Sequence, residues 1–293
     1  MRIFALIATA LIASSSSPAV VAKIKLKQFA QPCAAAGGGG AVWVSEFSAP
    51  YLLKIDPKTN KVVRKIGIGS GSCGLAYGAG SLWIEDTNSN TVSRVSVASG
   101  KRLRAIPVGN QPYDATFAYG AAWATSYGDG DVERIDPARN AVVKKWKLSS
   151  AIGVVGAFGS VWATGLDGVL RIDPATNEAL TTIPVKSGAG WTAASGDAVW
   201  VTTGESKLDR IDPQTNEVVA SVQLRGNLGD PAFVGGRMWV PEIRQNDVAI
   251  VNPATNALER RLKVGAGPFV VTEIKGEAWI PSYKGYDIWR VRP

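Results

Sequence analysis

The chain has 293 residues, of which 46% are hydrophobic and 19% are charged, and this balance is typical of a globular protein and excludes a disordered one. Its formal net charge is +8, which can favour anionic partners, but Lys and Arg are spread along the chain without a basic run. The sequence contains no histidine, which excludes Ser-His-Asp and Cys-His nucleophile systems and histidine-ligated metals.

The N-terminal segment, up to Ala22, differs in composition from the rest of the chain. Arg2 precedes an apolar run over residues 3–13, and serines and a Val-Val-Ala ending at Ala22 follow. This order is typical of a secretory signal peptide cleaved after Ala22, and the run is too short to span a bilayer as a helix. The alternative is an uncleaved anchor or a buried segment. We predict an exported protein, periplasmic or extracellular, with a single domain over residues 23–293 and no membrane span after signal removal.

One unit is repeated seven times along the chain. A tryptophan recurs at a nearly constant spacing, at Trp43, Trp83, Trp123, Trp162, Trp200, Trp239 and Trp279. An Ile-Asp-Pro segment or a degenerate form of it follows each one, beginning at Ile55, Val95, Ile135, Ile172, Ile211, Val251 and Val291. Such a period, with Val and Ile alternating between Gly, Pro and Asn turns, is typical of propeller blades. We predict an all-β, seven-bladed β-propeller with four-stranded antiparallel blades.

The two ends of the repeat array predict how the ring closes. The last copy reaches Pro293 after its third strand, so its fourth strand is missing. Residues 23–29 alternate as a strand and align with a fourth strand at residues 142–148. We therefore expect the N-terminal strand to complete the last blade and to leave no open interface between first and last blades.

The repeated residues themselves have structural explanations. Pro57 presets its φ for a turn, the Asp56 side chain accepts a hydrogen bond from the backbone ahead, and Asn60 tolerates a left-handed conformation. Because the same aspartate forms the same turn in several blades, we interpret these aspartates as turn formers and not as catalytic residues. A large aromatic residue at one place in every blade is expected to fill the wedge between neighbouring blades.

The repeat resembles a known family. The pattern Gly-x-x-(Val/Leu)-Trp-(Val/Ile), then Arg-Ile-Asp-Pro-x-Thr-Asn-x-Val-Val, then Ile-x-Val-Gly-x-x-Pro is similar to YVTN-type and streptogramin B lyase-like (virginiamycin B lyase-like) propellers, over essentially the whole chain after Ala22. The resemblance implies the seven-bladed fold. The lyase uses a histidine base with Mg²⁺ to open a cyclic depsipeptide, and a chain without histidine offers no counterpart of that base. Some YVTN-type periplasmic propellers bind single-stranded DNA.

Strand alternation predicts where a ligand would bind. In each blade, the start of the first strand and the end of the second strand lie at the same mouth of the central channel. The loops at this mouth do not carry the residues that recur in every blade. We predict a ligand site at this mouth formed by Tyr113, Asp114, Trp191, Asp230, Phe269, Glu46, Glu85, Asp86, Glu242, Arg244 and Tyr283. Aromatic rings beside carboxylates suit a small polar ligand, a sugar or a cation. The alternatives are a solvated loop face and, for Trp191, a plug of the channel.

The two cysteines occupy the same position in consecutive repeats. Cys33 and Cys73 are therefore one repeat apart, and equivalent positions on a seven-membered ring come within disulfide distance only near the axis, where the first strands lie. Export favours oxidation. We predict a Cys33–Cys73 disulfide between blades one and two, the alternative being two buried thiols.

Three functions follow from these observations. The first is a non-catalytic, monomeric binding or scaffold module for a small ligand or a protein. The second is a lyase or lactone hydrolase that uses carboxylates and a metal. No cofactor is predicted from any spacing, although oxygen ligands at the mouth could hold Mg²⁺ or Ca²⁺. The third is binding of single-stranded nucleic acid, which requires Lys and Arg to cluster on one face.

Overall fold

The computed structural model describes residues 17–293, in which the regular structure is β-strand apart from two single-turn 3-10 helices, Thr87–Ser89 and Ile243–Gln245. The strands form seven four-stranded antiparallel sheets, so the predicted seven-bladed propeller is confirmed. Residues 1–16, which hold most of the predicted signal peptide, lie outside the described residues.

The first strand, β1 (Ala19–Lys25), belongs to the last blade. The next three blades follow in chain order. Blade 1 consists of β2 (Pro32–Gly38), β3 (Ala41–Glu46), β4 (Tyr51–Asp56) and β5 (Lys61–Gly67). Blade 2 consists of β6 (Ser72–Gly78), β7 (Ser81–Asp86), β8 (Thr91–Ser96) and β9 (Arg102–Pro107). Blade 3 consists of β10 (Pro112–Ala118), β11 (Ala121–Ser126), β12 (Asp131–Asp136) and β13 (Ala141–Lys147).

The remaining blades keep this order. Blade 4 consists of β14 (Val154–Ala157), β15 (Ser160–Gly165), β16 (Gly168–Asp173) and β17 (Glu178–Ile183). Blade 5 consists of β18 (Ala189–Ala194), β19 (Val199–Thr203), β20 (Lys207–Asp212) and β21 (Glu217–Gln223). Blade 6 consists of β22 (Ala232–Val234), β23 (Arg237–Glu242), β24 (Asp247–Asn252) and β25 (Ala257–Lys263). Blade 7 consists of β26 (Thr272–Ile274), β27 (Glu277–Ser282), β28 (Asp287–Arg292) and β1.

The ring closes through β1, which pairs antiparallel with β28 as the outer strand of blade 7. The pairing runs from Ala19 opposite Arg292 to Lys25 opposite Asp287. The strand therefore begins before the predicted start at residue 23 and ends before residue 29, because a turn follows in which the Ala30 N–H bonds to a preceding carbonyl. The predicted cleavage after Ala22 falls within β1 and stays a prediction.

The seven repeated tryptophans lie in the core between blades, and each is at most 1% exposed. Four pairs of neighbouring blades are also tied by an arginine on the third strand. This arginine stacks over the tryptophan of its own blade and donates to the proline carbonyl and the asparagine Oδ1 of an Asp-Pro turn in the following blade. The arginines are Arg94, Arg134, Arg171 and Arg290.

The turns themselves have the predicted geometry. Asp56 Oδ1 accepts the Lys58 N–H at 2.9 Å, and Asn60 has a left-handed φ of 56°. The left-handed asparagine also directs its side chain toward the arginine of the preceding blade, as when Arg290 donates to Asn60 at 3.2 Å and to the Pro57 carbonyl at 2.6 Å. The turn motif therefore both reverses the chain and fixes blade 7 to blade 1.

We expect Arg290→Ala to lower the free energy of unfolding by about 2 kcal/mol, since it removes charge-assisted hydrogen bonds that join the last blade to the first. Chemical denaturation would measure the change. Arg292→Ala is the matched control, because Arg292 pairs with the same Glu277 as Arg290 does but is itself largely exposed, so its ion pair should contribute less than about 1 kcal/mol. Equal effects of the two variants would contradict a role for Arg290 in ring closure.

Candidate functional site

The first strands of all seven blades surround a central cavity of about 330 Å³. Small side chains such as Ala34, Ala115, Ala194 and Ala232 form much of its wall, together with Gly74. Because these side chains do not reach the axis, the seven-fold arrangement leaves the middle of the ring unfilled. The volume is at the lower end of the range of small-molecule sites.

Three aromatic rings lie across the mouth end of this cavity, and we call Tyr113, Trp191 and Phe269 the aromatic cap. The ring centroids of Tyr113 and Trp191 are 5.5 Å apart and stacked, and those of Trp191 and Phe269 are 5.1 Å apart and edge-on. Members of the cap line the central cavity from one side and two mouth cavities of about 450 and 190 Å³ from the other. The cap therefore separates the central cavity from the mouth.

Two carboxylates lie in the central cavity with the aromatic cap. Asp114, which is buried, accepts the Val154 N–H of the next blade at 2.9 Å and the Ala115 N–H at 2.8 Å. Asp230, from blade 6, makes no side-chain hydrogen bond or ion pair within residues 17–293. No Lys or Arg of the described residues lines this cavity, so its acidic groups have no basic partner there, although the net charge of the chain is positive.

The acidic groups have strongly perturbed protonation. Burial raises the pKa of Asp114 to about 7, even though two backbone N–H groups favour its charged form. Burial, together with the charge of Asp114, raises the pKa of Asp230 well above its ordinary value. A third acid, Glu85, lies behind Gly74 of the cavity wall, and burial followed by the charges of Glu133 and Asp114 raises its pKa.

We expect an Asp230→Asn variant to become progressively more stable than the natural protein as the pH rises from about 4 to about 7. In that range the unfolded chain has released the aspartate protons while the folded protein still holds them, so ionisation in the folded state opposes folding. Urea unfolding of both proteins across this range would measure the difference. Glu217→Gln, an exposed change on β21, should show no such trend; a constant difference for Asp230→Asn would contradict the raised pKa.

Glu85 occupies a position that carries a hydroxyl in four other blades. Two residues after the marker tryptophan, those blades have Ser45, Thr125, Thr164 and Thr202. Each hydroxyl accepts a first-strand N–H of its own blade, and in three of them it also donates to a first-strand carbonyl of the next. In Glu85 both carboxylate oxygens are fully buried and lack a hydrogen-bond partner. An alignment of the repeats in the sequence already shows this difference, because Glu85 stands where four other repeats have Ser or Thr.

Three other acids predicted for the mouth lie away from the central cavity. They are the last residues of second strands, where strand alternation places the side chain on the opposite face of the blade from the residue before it: Glu46, Asp86 and Glu242. Asp86 accepts the Ser72 hydroxyl at 2.7 Å, and Glu46 lies 3.9 Å from the Lys65 amine. Burial opposes the charge of Glu242, but the guanidinium groups of Arg261 and Arg225 outweigh it and lower its pKa to about 2.

The two remaining predicted residues lie on the mouth face. Arg244 is exposed on the second 3-10 helix and lines none of the three cavities along the channel. Tyr283 packs edge-on against Phe47, with ring centroids 5.7 Å apart, and both line the smaller mouth cavity. Glu273 was not predicted from the sequence, and it lines the central cavity from blade 7.

The predicted disulfide is confirmed. Cys33 and Cys73 are joined, with their Cα atoms 5.0 Å apart, and they connect β2 to β6 beside the smaller mouth cavity. Near the axis the first strands of adjacent blades are close enough for a disulfide, which is the geometry that the repeat spacing implied.

Two features of the described residues bear on the other hypotheses. In residues 17–293, no three His, Cys, Asp or Glu side chains are arranged so that they could hold a metal ion. The same part of the chain contains no helix of the length and apolarity needed to cross a membrane.

Comparisons with known proteins support the fold. The family DUF6923, described as a repeat of unknown function, matches residues 57–195, just under half of the chain. A chain of hydrazine synthase from Kuenenia stuttgartiensis superposes with a TM-score of 0.77 at 15% identity, covering 91% of this chain and 97% of that one. The WD40 β-propeller domain of Doa1 gives 0.76 at 12% identity, covering 94% and 97%.

No curated protein matches the sequence. The resemblance to YVTN-type and streptogramin B lyase-like proteins stays a prediction, since neither of the two structures described above is such a protein. These two structures have low sequence identity to this chain, so the similarity shows the fold alone. The chain is a seven-bladed β-propeller, and its residues 57–195 are similar to the DUF6923 repeat.

Proposed function

We propose that this protein is an exported, non-catalytic binding module whose ligand site is the central cavity beneath the aromatic cap. The observation that carries the proposal is the cavity itself: all seven first strands line it, small residues keep it open, and two carboxylates and three aromatic rings converge on it. Apolar walls with a few convergent polar groups are typical of small-molecule sites. The disulfide supports export, because disulfides persist in oxidising compartments.

The aromatic cap favours binding over a merely structural plug. A plug would fill the axis, whereas here space remains on both sides of the rings. Tyr113 and Phe269 are only partly buried, so part of each ring surface is available to a ligand. The enzyme hypothesis has less support, since Glu46, Asp86 and Glu242 are engaged in contacts within and between blades rather than directed into the cavity.

A channel-filling variant tests the proposal. Ala194 lines the cavity, so Ala194→Leu is expected to occupy part of its volume, and Ala138→Leu at an exposed turn is the matched control. Residues 23–293 of each protein would be screened by thermal shift against sugars, amines, carboxylates and lactones. A ligand at a hundred times its Kd should stabilise the protein by about 2.7 kcal/mol.

We expect a ligand that stabilises the natural protein and the Ala138→Leu control but not the folded Ala194→Leu variant. Ala115→Leu, which fills the same cavity from blade 3, serves as a second variant if Ala194→Leu does not fold. A ligand that binds equally to the natural protein, the Ala138→Leu control and the cavity-filling variant would place the site elsewhere and contradict the proposal.

A second candidate is binding of single-stranded nucleic acid, and it is favoured by the distribution of charge on the rim. The outer strands of five adjacent blades each carry two or three Lys or Arg residues, whereas β17 and β21 of blades 4 and 5 carry none. These five strands are β25, β1, β5, β9 and β13. Lys and Arg residues that are spread along the sequence therefore lie together on one arc of the rim.

The same rim lacks one feature of single-strand binding. Trp146, the tryptophan of β13, is only 9% exposed and stacks on Trp123 with centroids 5.5 Å apart, so it does not offer a free face to a base. If the arc binds nucleic acid, the double variant Arg104→Ala, Lys144→Ala should bind oligonucleotides more weakly. The salt dependence of its binding should fall by the amount expected for the loss of about two phosphate contacts. Unchanged binding would contradict this candidate.

A further inference from the structure

The central cavity holds acidic groups without a compensating cation. Asp114 and Asp230 lie in it, Glu273 lines it from blade 7, and Glu85 lies directly behind its wall with both oxygens unpartnered. No Lys or Arg of the described residues lines it. Resting on the proposed binding function, we infer that the ligand is a small organic cation with an alkylammonium group, bound between Asp230 and the aromatic cap.

Asp230 is the group best placed to pair with the cation. Asp114 already accepts two backbone N–H groups, whereas the Asp230 carboxylate has no hydrogen-bond donor among residues 17–293. A carboxylate that is half-buried in a cavity without a partner is unfavourable, and an ammonium group supplies both the opposite charge and the hydrogen bonds or close contact that it lacks.

The aromatic cap supplies the second recognition element. A ligand cation over the face of an aromatic ring is attracted by the ring quadrupole, and tryptophan is the most favourable partner. Trp191 lies at the centre of the cap, stacked on Tyr113 and edge-on to Phe269, so the three rings hold one another in place. Carboxylates opposite a fixed aromatic surface are a combination that recognises alkylated amines.

The arrangement favours an organic cation over a metal ion. In the described part of the chain, no three acidic or thiol side chains converge with the spacing that a metal requires. Aliphatic side chains such as Leu75, Val154 and Val271 also line the cavity, and they would contact the carbon atoms of an alkylammonium group but offer nothing to a hydrated ion. The cavity volume limits the ligand to a small molecule.

Binding should be linked to proton release. The acids whose charges influence one another here are Asp114 and Asp230 in the cavity, Glu85 behind its wall, and Glu133, which is paired with Lys145. The cavity carboxylates must ionise to pair with a cation. The affinity for an ammonium ligand should therefore rise with pH below about 7, by up to about tenfold per pH unit for each proton released.

Isothermal titration calorimetry of the mature protein with choline and with ethanolamine tests the inference. The matched control ligand is the uncharged analogue of choline in which carbon replaces the quaternary nitrogen. We expect at least one ammonium probe to bind at least tenfold more tightly than the carbon analogue at pH near 7, and more weakly at lower pH. Asp230→Asn should reduce that affinity at least tenfold, and Glu217→Gln, an exposed acid on β21, should leave it unchanged.

The outcomes separate this inference from the proposed function. If the carbon analogue, a sugar or an anion binds in a way that Ala194→Leu abolishes while neither ammonium probe binds, the cation inference is wrong and the binding function stands. If Mg²⁺ or Ca²⁺ binds through Asp230 instead, the ligand is a metal and the inference is again wrong. If no probe of any class responds to Ala194→Leu, both proposals are contradicted.

Discussion

Replacing Cys33 and Cys73 together by alanine is expected to lower the free energy of unfolding by about 4 kcal/mol, because the disulfide closes a long loop, with a sequence separation of 40, in the unfolded chain. Few single covalent changes in this molecule should have a larger effect. The disulfide connects the innermost strands of two neighbouring blades, so its loss also removes the only covalent link between blades, other than the chain itself, in the described structure.

Equilibrium denaturation of the natural protein with and without reductant, and of the double variant, would measure the effect. The reduced natural protein and the double variant should have similar stabilities, both well below the oxidised protein. Alkylation followed by mass measurement provides the control that the natural protein is oxidised at the start. A loss below about 1 kcal/mol in the double variant would contradict a stabilising role for the cross-link.

Glu85→Thr is expected to stabilise the protein by about 3 kcal/mol near neutral pH, a direction that is unusual for a change in a buried position. The variant removes a buried carboxyl group whose two oxygens lack partners, each of which costs about 1–3 kcal/mol. It also restores the hydroxyl that Thr125 and Thr164 use to link first strands of adjacent blades.

The pH dependence distinguishes the two contributions. Because the pKa of Glu85 is raised in the folded protein, its ionisation opposes folding only above the ordinary glutamate pKa, so the gain from Glu85→Thr should grow as pH rises from about 4 to about 7. Glu85→Gln removes the charge but leaves a buried polar group, and it should gain less. A destabilised Glu85→Thr variant would show that the carboxyl group makes a contact that outweighs its burial, such as one with a bound cation.

The sequence predicted the architecture because every blade repeats the same local chemistry. The tryptophan spacing indicated the number of blades, and the Asp-Pro turns indicated the strand order within each. The position of the two cysteines in consecutive repeats was enough for the disulfide, since equivalent residues on a ring have fixed spacing. These features depend on residues near one another in the sequence or related by the repeat, and such relations are visible without coordinates.

The sequence was less informative about the site because side-chain direction depends on register. Tyr113, Asp114, Trp191, Asp230 and Phe269 were predicted together, and the structure places them around one cavity because all five lie at the starts of first strands or just before them. The acids at the ends of second strands were grouped with them only by loop position. One step of strand alternation places those side chains on the other face of the blade, where cations from the fourth strand pair with them.

By itself, the sequence determined a seven-bladed all-β ring, its closure by an N-terminal strand and the link between Cys33 and Cys73. The tertiary structure decided what the ring encloses. Acids from blades two, three and six come close to one another without a cation, and cations from five outer strands meet on one arc of the rim. Both groups combine residues that are far apart in the chain, and only the closed ring determines which of these residues become neighbours.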